Sequence, residues 1–311
     1  MAYAVRGQIK FLRMKNTLMI IKLMLLVSCL FSCEKANFST DEEGKTEDGK
    51  CVTVSFNVSK FEQIDFENTT SSRSTVVGDV CTRISYVIYS GKTKIKVINQ
   101  EKTDADFGTV SLNLDKDSTY RIVIVAHNGL GVASFSSTDN NITFKDNKVT
   151  DTFYYSQPFK ATEGVSYNVE LKRIVAMFRL KITDNMPGDV KTMQFKYTGG
   201  SSTLDAEKGL GCVNSRQTEN REVTSSMTGH SATFDVYTFP HDATGELKIT
   251  VTALDANSKS LYEREFDAVP VKTNQITQYS GNFFGEGTGG ASSNMFIMVT
   301  NDNWSEENYV Y

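Results

Sequence analysis

From Val52 onward the chain alternates. Val52, Val54, Phe56 and Val58 are apolar, and Thr53, Ser55 and Asn57 between them are polar. A period of two predicts a half-buried strand. Residues 84–89 predict a second strand, Ser90-Gly91-Lys92 a turn, and residues 93–98 its partner, a hairpin in which Gly91 supplies the turn geometry. Val110, Leu112 and Leu114 alternate again. Residues 120–126 are apolar on both faces and predict a central strand. Residues 142–144 predict a short strand, and residues 149–155 fit either a strand or a helical turn. Pro158 and Gly164 punctuate residues 157–166, which places a domain boundary there.

The pattern then restarts. Tyr167, Val169 and Leu171 form one strand, and Ala176, Phe178, Leu180 and Ile182 the next. Met193, Phe195 and Tyr197 follow the turn at Met186-Pro187-Gly188-Asp189. Residues 198–230 read as a long polar insertion. Strand spacing returns at Ala232, Phe234 and Val236, at Leu247, Ile249 and Val251, and at residues 261–266, 276–284 and 295–299. No long segment has a helical period. Many short strands, twice over, predict an all-β fold of two tandem β-sandwiches, residues 51–160 and 161–311, with a single large barrel as the alternative.

What precedes the strands changes the picture. Residues 18–33 are a hydrophobic run behind a basic lead-in of Arg6, Lys10, Arg13 and Lys15. That layout is an export signal over residues 1–32, too short in its apolar part to span a bilayer. Met14 is a second possible start. Leu30-Phe31-Ser32-Cys33 resembles the lipobox of bacterial lipoproteins, with Phe31 a departure at its position. The resemblance implies cleavage between Ser32 and Cys33 and acylation of Cys33; Leu26-Val27-Ser28-Cys29 fits more loosely. An ordinary secretory signal with Cys33 incidental is the alternative. Residues 33–50 then form an acidic, polar tether with almost nothing to bury.

Charge and chemistry narrow the function. The formal net charge is −4; residues 1–32 carry five bases and no acid, so the remainder carries −9. No basic stripe occurs, which excludes nucleic acid as a partner. After Cys29 and Cys33, the cysteines Cys51, Cys81 and Cys212 allow at most one disulfide, Cys51 with Cys81 being one choice. The three histidines, His127, His230 and His241, are scattered, and His127 follows an apolar strand as a structural histidine would. Gly285-Glu286-Gly287-Thr288-Gly289-Gly290 matches a dinucleotide fingerprint without the helix that gives that motif its anion site. Trp304, the only tryptophan, suits a cap on a sandwich core better than a calcium or glycan contact. The sequence offers no catalytic set, no metal site and no cofactor motif. The expectation is a protein that is not an enzyme.

Three stretches, with the lipobox, carry a wider resemblance. They are residues 83–89 paired with residues 120–128; residues 171–184 followed by Met186-Pro187; and residues 269–284, Val-Pro-Val-Lys-Thr-Asn-Gln-Ile-Thr-Gln-Tyr-Ser-Gly-Asn-Phe-Phe. Together they resemble the fimbrial subunit superfamily of type V pili in Gram-negative anaerobes, in its minor-subunit and anchor branch. The resemblance implies transthyretin-like sandwiches, lipid anchoring in the outer membrane at the cell surface or in the fimbrium, a part in cell adhesion, and other fimbrial subunits as partners. It also implies assembly by strand donation, which is β-augmentation. Stalk subunits of that superfamily lose their first strand to an arginine-specific protease. Arg73 is the first arginine after Cys33, and cleavage there would remove the strand of residues 52–58. The reading adopted is an uncut Arg73 and an anchor or accessory subunit, with a processed stalk subunit as the variant. Two other classes stay open. A surface glycan-binding lipoprotein would need coplanar exposed aromatics, for which Tyr154, Tyr155, Trp304, Tyr309 and Tyr311 are the candidates. A hydrolase would need converging carboxylates or histidines.

Overall fold

A computed structural model describes residues 50–62, 76–214, 216–285 and 297–301. The elements run β1 (Cys51–Glu62), a one-turn helix α1 (Val77–Val80), β2 (Arg83–Ser90), β3 (Thr93–Glu101), β4 (Thr109–Asp115), β5 (Thr119–His127), β6 (Ser134–Phe135), β7 (Asn141–Thr143), β8 (Thr152–Lys160) and β9 (Ser166–Arg173). They continue with β10 (Ala176–Ile182), β11 (Thr192–Thr198), β12 (Leu204–Asp205), β13 (Gln217–Glu222), β14 (Ala232–Thr238), β15 (Thr244–Leu254), β16 (Ser260–Lys272), β17 (Ile276–Gly281) and β18 (Ile297–Asn301). The fold is all-β, as the alternation predicts.

Seven strands make one sheet in the order β3-β2-β5-β8-β9-β1-β4. The step from β8 to β9 is thin, with only Phe153 opposite Arg173 and Tyr154 opposite Lys172. The sheet turns there, and its two parts face each other as layers. Phe56 on β1 meets Phe159 on β8 edge-on at 5.0 Å, and Phe61 meets Phe153 at 5.0 Å. Between the layers lie Val54, Phe56, Ile84, Tyr86, Leu112, Ile122 and Ile124, all buried. Hydrogen bonding keeps β9 in this sheet, parallel to β1 and antiparallel to β8.

The second sandwich faces the sheet β14-β10-β17-β18 with the sheet β13-β11-β15-β16. Its core holds Phe178, Phe195, Phe234, Phe266 and Phe283. The two sandwiches repeat one arrangement. β1 lies between β9, parallel, and β4, antiparallel; β10 lies between β17, parallel, and β14, antiparallel. In each, the leading strand sits inside its sheet and the strand beside it in parallel comes last or nearly last.

A third core joins the halves. Val87, Tyr89, Val123 and Val125, on the outer face of β2 and β5, pack with Phe135, Ile142, Phe144, Leu204, Phe239 and Ile276. That explains why β5 is apolar on both faces. Residues 198–230, expected to be a polar insertion, supply Leu204 and Ala206 to this core and form the edge strand β13. Ala206 O accepts from Tyr154 Oη at 2.8 Å and from Arg121 Nη1 at 3.1 Å. Gly209, at φ +69°, passes so close that a Cβ there would lie 2.7 Å from the Tyr154 ring.

A buried arginine clasps the crossover. Arg173, at the end of β9, holds Asp151 with two bonds, Nε to Oδ1 at 2.7 Å and Nη2 to Oδ2 at 2.9 Å. Its Nη1 donates to Asn274 Oδ1 at 3.1 Å, and its guanidinium lies 4.8 Å from the Phe153 ring centre.

Candidate functional site

The element with the most to say about function is β1. Its neighbours are staggered along it. β4 covers Cys51–Asn57 and β9 covers residues 55–62, with a register shift between Val58 and Lys60. One face sends Val52, Val54, Phe56 and Val58 into the core, each at most 5% exposed. The other face carries uncharged polar ladders. Thr53 Oγ1 donates to Asn113 Oδ1 at 2.9 Å, Ser55 Oγ and Ser111 Oγ lie 2.9 Å apart, and Asn57 Nδ2 donates to Asn168 Oδ1 at 3.0 Å. The first strand among the described residues is thus held by two ladders and by four buried side chains.

Ser32, Cys33 and Arg73 lie outside the described residues, as do Trp304, Tyr309, Tyr311 and most of the glycine-rich stretch. The start of that stretch is held: Asp184 Oδ1 accepts from Phe283 N at 2.9 Å, and Oδ2 from Phe284 N and Gly285 N at 2.6 and 3.1 Å. Tyr154 and Tyr155 do not form an aromatic platform. They are neighbours on β8 and point to opposite faces, Tyr154 toward the joining core and Tyr155 toward the first sandwich's core. Strand alternation forces this.

Cys51, Cys81 and Cys212 are free thiols. Cys81 is buried, and burial with the charge of Asp151 pushes its pKa up to about 12, so it is an inert core group.

His127 is buried at the end of β5 and takes a structural place, but only half of its ring is satisfied. Nδ1 accepts from Gly129 N at 3.0 Å, while Nε2 has no partner and the ring stands edge-on to Phe144 at 5.1 Å. Burial, and after it the Arg83 guanidinium, hold its pKa down at about 4 against an ordinary 6.5. The imidazole stays neutral in the native state while the unfolded chain takes up a proton. Stability from this residue is therefore complete above about pH 6.5 and is lost as pH falls toward 4. Melting temperature measured against pH should show that loss, on the order of 3 kcal/mol, and His127→Leu should flatten the curve in this window. An unchanged curve in the variant would place the acid sensitivity elsewhere.

The geometry defines a layered all-β protein with an interior leading strand. The chain belongs to the DUF6562 family, a family of unknown function, whose model matches residues 45–309. No curated protein matches it. Among solved structures it is similar to the fimbrial anchor protein Mfa2 from Porphyromonas gingivalis, at 9% identity and a TM-score of 0.44, over 80% of this chain and 95% of that one. It is also similar to a fimbrial assembly protein from Parabacteroides distasonis, at 13% identity and a TM-score of 0.38, over 80% and 94%. No residue role is carried across at these identities.

Proposed function

We propose that this chain is a fimbrial subunit of the anchor or accessory kind, held on the outer membrane through an acylated Cys33 and joined to other subunits by an exchanged strand in support of cell adhesion. It is a structural link and not an enzyme. Fimbrial anchor and fimbrial assembly are the roles named for the two solved structures above; for this chain the proposal rests on its own strands. The observation that carries it is the place of β1. β1 lies inside a sheet, paired on both sides, and Arg73 lies in the sequence between β1 and α1. Retained, β1 ties the tether to the fold; removed, it leaves a strand-shaped acceptor. Main-chain bonds and alternate side-chain pockets are what β-augmentation needs.

Mass analysis of the mature protein from the cell envelope tests this. The expected result is a chain that begins at acylated Cys33, contains β1 and co-purifies with fimbrial subunits. An unlipidated chain beginning at Ser74 would replace the anchor role with that of a stalk subunit. A lipid-free chain with no fimbrial protein attached would overturn both.

A further inference from the structure

The outer face of the sheet β13-β11-β15-β16 carries a groove of about 350 Å³, inside the range of about 300–1,000 Å³ typical of small-ligand sites. Its floor is one row that crosses all four strands. Asn220 lies opposite Gln194, Gln194 opposite Thr252, and Thr252 opposite Glu263. Thr252 is only 5% exposed, although it sits on the outward face, because the neighbouring side chains wall it in. The row is ordered by its own bonds. Gln194 Nε2 donates to Asn220 Oδ1 at 3.1 Å, and Thr252 Oγ1 donates to Glu263 Oε2 at 3.0 Å.

Those bonds leave a set of groups for a ligand. Asn220 Nδ2 remains as a donor, Gln194 Oε1 and Glu263 Oε1 remain as acceptors, and Lys196 Nζ stands beside them with no ion pair among the described residues. Along the row, whose three interstrand steps of about 4.8 Å span about 14 Å, a donor at Asn220 is followed by acceptors at Gln194 and Glu263. The chemistry excludes several ligands. An anion would meet one cation and an opposing carboxylate. A metal ion would find one carboxylate, and no three potential metal-ligating side chains gather among the described residues. A protein partner would need an apolar centre, and Leu254 is the only large apolar side chain in the lining. A ligand dense in hydroxyls, each both donor and acceptor, satisfies the whole row.

We propose that this groove binds a neutral oligosaccharide, seated along the Asn220–Gln194–Thr252–Glu263 row. No aromatic ring lines the groove to stack on a sugar, so affinity is set by hydrogen bonds, and a Kd of about 1 mM is expected. The site is independent of strand exchange: a chain that fails to assemble still carries it.

Calorimetric titration of the full mature chain with maltohexaose, cellohexaose and mannohexaose tests the proposal, with inorganic phosphate and hexagalacturonate as charged comparisons. At least one neutral hexasaccharide is expected to bind. Gln194→Ala and Asn220→Ala should each weaken it by about three- to tenfold, the effect of one hydrogen bond, with the melting temperature unchanged. Glu263→Gln keeps an acceptor and should retain binding within about threefold. The proposal is overturned by no binding of the three neutral probes at about 10 mM, by binding that both alanine variants leave intact, or by a preference for the charged probes that Lys196→Ala abolishes.

Discussion

Removal of β1 from the purified chain, by deletion of residues 51–62, is expected to abolish the cooperative unfolding transition of the first sandwich. Val52, Val54, Phe56 and Val58 are buried, and each contributes about 1.5–3 kcal/mol by burial. Their loss therefore amounts to about 6–12 kcal/mol, comparable with the about 5–15 kcal/mol that holds a whole domain together. The β4 and β9 ladders lose their shared partner at the same time, and the inner edges of both strands are exposed. A synthetic peptide of residues 50–62 added in excess should restore the transition, because its pairing with β4 and β9 supplies the buried side chains and ladders that the deletion removed. Calorimetry of the deleted chain with and without peptide measures this. If the deleted chain melts within a few degrees of the intact one, β1 is dispensable and the strand-exchange proposal fails with it.

Arg173→Met should be the most damaging single substitution at the crossover. The Arg173 side chain is 2% exposed and that of Asp151 is 21% exposed, so the variant leaves a carboxylate with little water to replace its partner. Removing one member of a buried pair costs about 3–5 kcal/mol, and the partial exposure of Asp151 places the expected loss at the lower end. For a chain of this size that is a fall in melting temperature of about 6–12 °C. Adding Asp151→Leu should recover much of the loss, since replacing both partners of a buried pair is often neutral. A single variant within about 1 kcal/mol of the parent would show that the clasp is solvated.

The strands were legible where burial is apolar and one-sided. β1 and β4 alternate in sequence as they do in the structure, and the apolar run of β5 marks a strand covered on both faces. The elements that escaped are those whose buried groups are polar. In β13 the inward positions are Gln217 and Glu219, both buried. Gln217 Nε2 reaches Ser202 Oγ at 3.1 Å, and Glu219 accepts from Tyr197 Oη at 3.0 Å and from Arg221 Nη2 at 2.6 Å. A hydrophobic pattern cannot register such positions, because their burial depends on partners distant in sequence. β8 was obscured by Pro158, which reads as a break. In the sheet, Pro158 lies opposite Arg121, beyond the short stretch where β8 meets β9. One side of the strand is open there, and a missing backbone donor is tolerated. The polar groove was illegible for a related reason: its row joins residues from four strands, and only the register brings them side by side.

The parallel pairing of β1 with β9 has a mechanical consequence. A pull at Lys50 draws β1 toward its start, while a load carried through β10 draws β9 toward its end. In parallel strands these directions are opposite, so the force runs along the shared ladder and loads its hydrogen bonds together, in shear. An antiparallel pair pulled at the same two chain ends would open one bond at a time, like a zip. The direction of one strand thus sets how this protein resists tension between the start of β1 and the rest of its fold.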